Sequence, residues 1–442
     1  MKILTVLTYY RPHTSGLTIY AERLVKALAR RGHQVTVLTT QYQKDLPREE
    51  TQDGVRIVRL PVVARVSKGV LAPSMGWVAT RMVQQHDAVL LHLPQFDAAG
   101  IALRGRLFNR PTVILYHCDI LLPPGLFNRF VNTVVDGMNH LAGVFAHKVV
   151  AYTEDFAAHS PYLTRFAAKR EVIAPNVFIA PASPAAIQAF RARYNSEGRP
   201  IIGMATRFAA EKGVEVLLDA LPAILARYPQ AKVLFAGQYQ GVWGEEAYAQ
   251  ALMPRIRQYE HPSPGSGDLP SGALSLSKRD HPSTSSGCLP PGSENLPSGA
   301  LSLSKRDSSE TSSTDGHWQF LGVLSMEEMA AFFPNLNVLV VPSLNSTETF
   351  GFVQIEAMIN GVPAVASDLP GVRQPVAMTG MGKIIPVGDS AALAAAVLDI
   401  LDRPQAFRGD PARVAQMFHP DTNAAAFEDL FERCRAALNR KP

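Results

Sequence analysis

Cysteine is scarce in this chain. Its 442 residues hold three, Cys118, Cys288 and Cys434, far apart and without metal-ligand spacing. That argues against a disulfide-stapled fold or a structural zinc site and fits a reducing compartment. Long apolar runs are missing too, so no segment reads as a membrane span. Neither sign of charge dominates: 43 Lys and Arg against 38 Asp and Glu give +5. The mild basic bias suits anionic ligands or an anionic membrane surface and does not call for nucleic acid. The first strand-to-helix loop, Tyr9 to Gly16, has no G-x-G-x-x-G pattern, which counts against an NAD-dependent oxidoreductase. The opening residues, Met1 to Leu7, have no signal-type apolar region or cleavage site and read as a strand. The expected location is the cytoplasm, with peripheral contact at the inner membrane face compatible with the charge.

What is present is an alternation of short β-branched runs with amphipathic helices, the pattern of parallel sheets in an α/β protein. Strands are expected at Lys2 to Thr8, Val35 to Thr39, Ala88 to Leu93, Thr112 to Tyr116 and Val149 to Thr153, and a helix begins at Leu17. Gly16 sits beyond the carboxyl end of the first strand, where ligands of open parallel sheets bind, and glycine lets the backbone approach closely. Leu121 to Lys148, with Phe127, Phe130, Val131, Val134 and Met138, reads as core helices; contact with a membrane or a lipid-linked acceptor is the alternative. After a Pro-rich stretch the pattern restarts with strands at Ile201 to Ala205, Ala231 to Gly237, Trp318 to Leu321, Val338 to Val341 and Gly382 to Val387. Between them, from about 261 to 316, the chain is rich in Ser, Pro and Gly, and Leu269 to Asp280 recurs letter for letter at Leu296 to Asp307. That composition predicts a disordered surface insertion.

Two stretches carry chemistry. Arg207 and Lys212 lie in a strand-to-helix loop closed by Gly213. An arginine fork and a lysine point charge can together grip a diphosphate. The second stretch runs from Val341 through Glu348, Thr349, Phe350, Gly351 and Phe352 to Glu356 and Met358: strand, polar loop, helix. The helix start offers unpaired amides and a positive dipole end. Glu348 and Glu356, spaced E-x7-E, can accept hydrogen bonds from two hydroxylated parts of one ligand.

With Phe350-Gly351 inside the spacing and Gly361-Val362-Pro363 after it, this second stretch resembles the signature of family 4 glycosyltransferases, retaining enzymes of the GT-B fold. The likeness extends to Arg207, Lys212, Gly213 and the strand-end His117, and covers most of the chain outside the insertion. It implies two Rossmann-like doubly wound parallel-sheet domains facing a cleft: an acceptor domain at 1–178, a linker at 179–199, a donor domain at 200–410, and a terminal segment at 411–442 whose helix packs back on the first domain. The implied activity is transfer of a sugar from a nucleotide-sugar donor to a glycan, lipid-linked or small-molecule acceptor. In that scheme Glu356 takes the ribose, Glu348 the donor sugar, and Arg207 and Lys212 the diphosphate. His117 lies at the sugar, the amides around Phe350, Gly351 and Phe352, with Thr349, meet its hydroxyls, and Gly16 lines the donor. No DxD-type metal motif stands out, so neither metal nor other cofactor is expected. The competing readings are a catalytically inactive GT-B binding subunit, a phosphorylase and the oxidoreductase already disfavoured.

Overall fold

The computed structural model describes residues 1–66, 69–119, 125–242, 244–260 and 316–440. The repeat insertion and Cys288 lie outside these residues. Two sheets organise the chain. The first has eight strands in the spatial order Arg170–Val172, Lys148–Ala151, Thr112–Tyr116, Ala88–Leu93, Lys2–Val6, Gln34–Gln41, Val55–Pro61 and Glu49–Gln52. All its pairs are parallel except the last, an antiparallel edge hairpin with Glu49 opposite Val58. The second has six parallel strands: Trp318–Gly322, Lys232–Ala236, Ile201–Ala205, Val338–Val341, Ala364–Ser367 and Gly382–Ile385.

Parallel sheets carry helices on both faces, so their strands are apolar throughout rather than alternating. Every residue of Ala88–Leu93, Ile201–Ala205 and Val338–Val341 is buried accordingly. The first helix spans Gly16–Arg30, one residue earlier than its apolar stripe indicates, because Ser15 and Thr18 close a reciprocal capping box at its start. This places Gly16 in the first turn, directly beyond the first strand.

The long apolar stretch after Thr112–Tyr116 corrects one expectation. Within it the helix Leu126–Phe145 packs on Ala98–Leu107 and buries Ala142. Leu126 and Phe130 in its first turns do not join a core, being 89% and 67% exposed. Among its described residues the buried positions of the helix, Asn139, Ala142 and Gly143, all fall in its C-terminal half.

The two halves meet at several points. The chain crosses once between Val172 and Ile201 and again near Phe418, and the crossings bond to each other through the Val177 amide and the Phe418 carbonyl, 2.8 Å apart. The terminal helix Pro420–Asn439 lies along Gly16–Arg30. Tyr20 donates its hydroxyl to Asn423 (3.2 Å), and Arg30 and Arg31 pair with Asp421 and Glu428.

Candidate functional site

The site lies where the carboxyl ends of both sheets face each other. Strand Ile201–Ala205 hands on to the loop that carries Arg207 and Lys212. Gly213 ends that loop with φ of 66°, and a Cβ there would stand 2.1 Å from the Pro342 carbonyl oxygen. The glycine therefore lets the loop lie against the end of strand Val338–Val341, which brings Lys212 to Glu348. The Lys212 Nζ to Glu348 Oε2 distance is 2.7 Å. The other oxygen of Glu348 accepts the Gly351 amide at 3.0 Å, a bond that the positive φ of Gly351, 75°, permits at the mouth of helix Phe352–Ile359. Burial pushes the Glu348 carboxyl up, but the Lys212 ammonium and the Gly351 and Phe350 amides outweigh it, and the net shift is downward. Glu348 is thus a carboxylate at neutral pH, held from two sides.

The other expected residues have different partners. Arg207 is 55% exposed and pairs with Glu211 in its own loop at 3.0 Å. Glu356, on the second turn of helix Phe352–Ile359, is held by Arg23 of the first-domain helix, with Nη2 2.9 Å from Oε1. Gly16 faces the Phe352 ring, whose edge would lie 3.6 Å from a Cβ at that position. Phe350 and Phe352 pack with Tyr152, and Phe352 with Tyr20, in an aromatic seam between the halves. Thr349 donates its hydroxyl to the His117 main-chain carbonyl at 2.7 Å, a direct tie across the seam. The Cys118 thiol, raised to about 11 by burial and by the Asp119 and Glu348 carboxylates, lies beside the same cluster.

His117 is itself buried, and both ring nitrogens are engaged: Nε2 lies 2.8 Å from His92 Nδ1, and Nδ1 meets the Tyr152 hydroxyl. Burial, then the neighbouring His92, push its pKa well below the ordinary histidine value. Burial alone lowers His92 to about 3. His92 and Tyr152 escape sequence reasoning because each sits inside an apolar strand or at its end, where a lone polar residue gives no signal. Arg23 escapes for another reason: arginine on an amphipathic helix reads as a solvated face.

These depressed histidines set a pH dependence. The unfolded chain takes up their protons near pH 6.5 while the folded protein refuses them, so stability is complete above that pH and falls as the medium is acidified. For His92 the loss amounts to about 2 kcal/mol by about pH 5. The midpoint of thermal unfolding should fall between about pH 7.5 and about pH 5, and His92→Asn should flatten that slope. An equally steep slope in the variant would show that the histidine pair does not govern it.

Among the described residues no group of three or more His, Cys, Asp or Glu side chains is placed to hold a metal ion, and no helix is long and apolar enough to cross a membrane. Comparison with known proteins covers both halves. The sequence profile named Glycosyl transferase 4-like domain matches residues 15–176, and the profile named Glycosyl transferases group 1 matches residues 302–415. The chain belongs to the group 1 glycosyltransferases. A GDP-mannose-dependent alpha-mannosyltransferase of Mycolicibacterium smegmatis is 23% identical over 91% of this chain and 89% of its own length. A phosphatidyl-myo-inositol mannosyltransferase of the same organism is 27% identical over 51% of this chain, a match that spans 42% of that relative. For its Mycobacterium leprae counterpart, 40% identical over 19% of this chain, the matched share of the relative is 22%. Among solved structures, Anabaena HepE in complex with UDP superposes with a TM-score of 0.67 at 19% identity, covering 98% of this chain and 100% of that one. The sucrose-phosphate synthase of Thermosynechococcus elongatus gives 0.65 at 20% identity, over 99% of each chain. The fold is GT-B.

Proposed function

We propose that this group 1 glycosyltransferase moves a sugar from a nucleoside-diphosphate donor to a hydroxyl acceptor, with retention of anomeric configuration and without a metal cofactor. The observation that carries the reading is the Lys212–Glu348 pair, set at the start of helix Phe352–Ile359 between the two sheets. As the sugar–phosphate bond breaks, negative charge grows on the leaving diphosphate. Lys212, joined by Arg207 from the same loop, is placed to neutralise that charge in a partly dry site. Glu348, kept ionised, faces the positive charge that develops on the sugar. Thr349 and the backbone of Phe350, Gly351 and Phe352 bind sugar hydroxyls, Gly16 lines the donor, and Glu356 takes the ribose. His117, expected at the sugar, has both ring nitrogens on His92 and Tyr152 and contributes through its main-chain carbonyl, which holds Thr349.

The mannosyl and inositol names of the relatives favour a mannose donor and an inositol-bearing or lipid-linked acceptor. Peripheral membrane contact belongs to the same proposal: exposed Leu126 and Phe130 flank Arg129 on one helix, an apolar and cationic pairing suited to an anionic lipid surface. The test is a panel of nucleotide sugars, GDP-mannose and UDP-glucose first, with phosphatidylinositol vesicles or free inositol phosphate as acceptor. The anomeric proton of the product, read by NMR, reports the stereochemistry. One donor should stand out, the product should keep the donor configuration, and EDTA should leave the rate within about twofold. Inversion, or a loss in EDTA restored by magnesium, would overturn the corresponding part. Failure of the protein to sediment with anionic vesicles would remove the membrane contact.

A further inference from the structure

Among the described residues two ion pairs join residues 1–178 to residues 200–410, and they differ in kind. Asp155 of the first domain takes a two-pronged grip on Arg373 of the second, 2.6 Å from Nη2 and 2.9 Å from Nε, and also accepts the Gly371 amide at 2.9 Å. The proposed function assigns none of these groups to the donor. Arg23–Glu356, in contrast, joins the first domain to a carboxylate that the proposed function assigns to the ribose. Both of its side chains are largely withdrawn from water, with 13% and 15% of their surfaces exposed. A carboxylate that accepts two neighbouring ribose hydroxyls presents both oxygens, and Arg23 holds one of them. Arg23 also has somewhere to go. It lines a cleft of about 550 Å³ on the side of its helix, together with Glu22 and Asp421, whose carboxylates can take its charge, and with the cations Arg11, Lys26 and Arg30.

We infer that Arg23 is a competitor for the ribose site: it caps Glu356 in the donor-free enzyme, and the incoming nucleoside displaces it into the adjoining cleft. The inference rests on Glu356 being the ribose carboxylate. The displaced pair is the one ligand binding must break, while Asp155–Arg373 stays closed. A fraction of binding free energy is then spent on opening a contact, which lowers apparent affinity. Removing the competitor returns that fraction. Breaking Asp155–Arg373 returns nothing.

The experiment is calorimetric titration of the full chain with UDP and with GDP, and with the 2′-deoxy form of whichever binds. It compares wild type, Arg23→Met, Arg23→Lys and Asp155→Asn, with thermal midpoints recorded for each. Arg23→Met should bind the ribonucleotide more tightly, on the order of tenfold. The gain should shrink for the deoxy form, since one hydroxyl contact is gone. Arg23→Lys should stay near wild type, and it carries the comparison if the Met variant proves unstable: a loss of ribose preference in the Lys variant would count against the idea. Asp155→Asn should bind no more tightly than wild type. Weaker or unchanged binding by Arg23→Met, or an equal gain in Asp155→Asn, overturns the inference while leaving the glycosyl-transfer reading intact. Absence of nucleotide binding by both wild type and Arg23→Met overturns the ribose assignment and the inference with it.

Discussion

Lys212→Ala is expected to lower turnover by roughly 10²–10³-fold with the fold intact, the range seen when one preorganised group facing developing charge is removed. The side chain is 15% exposed and pairs with Glu348. Loss of the ammonium therefore leaves Glu348 supported by amides alone and, on the proposed function, leaves the departing diphosphate to Arg207, which is mostly in solvent and tied to Glu211. The effect should fall on kcat measured at saturating donor, because the charge being met appears only as the bond breaks. Initial rates of nucleoside diphosphate release, with a thermal midpoint to certify folding, provide the check. A folded variant with wild-type turnover would end the phosphate role of Lys212.

The second large effect comes from the residue beside it. Gly213→Ala puts a methyl group 2.1 Å from the Pro342 carbonyl oxygen at a backbone angle of +66°. Backbone atoms cannot yield as a flexible side chain does, so the loop must lift from the strand end. The expected cost is about 2–4 kcal/mol of stability, accompanied by a fall in turnover as Lys212 loses its register with Glu348. Gly241→Ala supplies the control: its φ is +60° but nothing lies within 4 Å of the added carbon, so only the conformational cost of about 1 kcal/mol applies. Unfolding midpoints of the two variants, side by side, isolate the close approach. Equal midpoints would mean that the loop does not depend on contact with Pro342.

The buried parallel strands are legible in the sequence because their apolar runs are continuous. Ala88–Leu93, Thr112–Tyr116, Ile201–Ala205 and Val338–Val341 carry the expected bounds. The edge hairpin Glu49–Gln52 and Val55–Pro61 is not legible: Glu49, Glu50, Thr51 and Gln52 form a polar, solvent-facing strand with no apolar period. At the site, the motif residues announce the loops they sit on, and the glycines announce where backbone must approach backbone. The partners of those residues are another matter. Arg23 lies 333 residues before Glu356 and Asp155 lies 218 before Arg373, and only the folding of two sheets toward each other puts them in reach. Likewise the Tyr152–His117–His92 chain links three strand ends that are neighbours in the sheet and strangers in the sequence.

The doubled crossing has a mechanical consequence. Because the Val177 amide is bonded to the Phe418 carbonyl and the Phe178 ring sits edge-on to His419, 5.9 Å away, the two connectors behave like paired pins of a door rather than a single swivel. Twisting and sliding of one half against the other would tear that stitch, whereas swinging about the line between the pins leaves it whole. A swing of this kind brings parts that face each other across the halves back to one position, so that each closure returns the Thr349 hydroxyl to the His117 carbonyl.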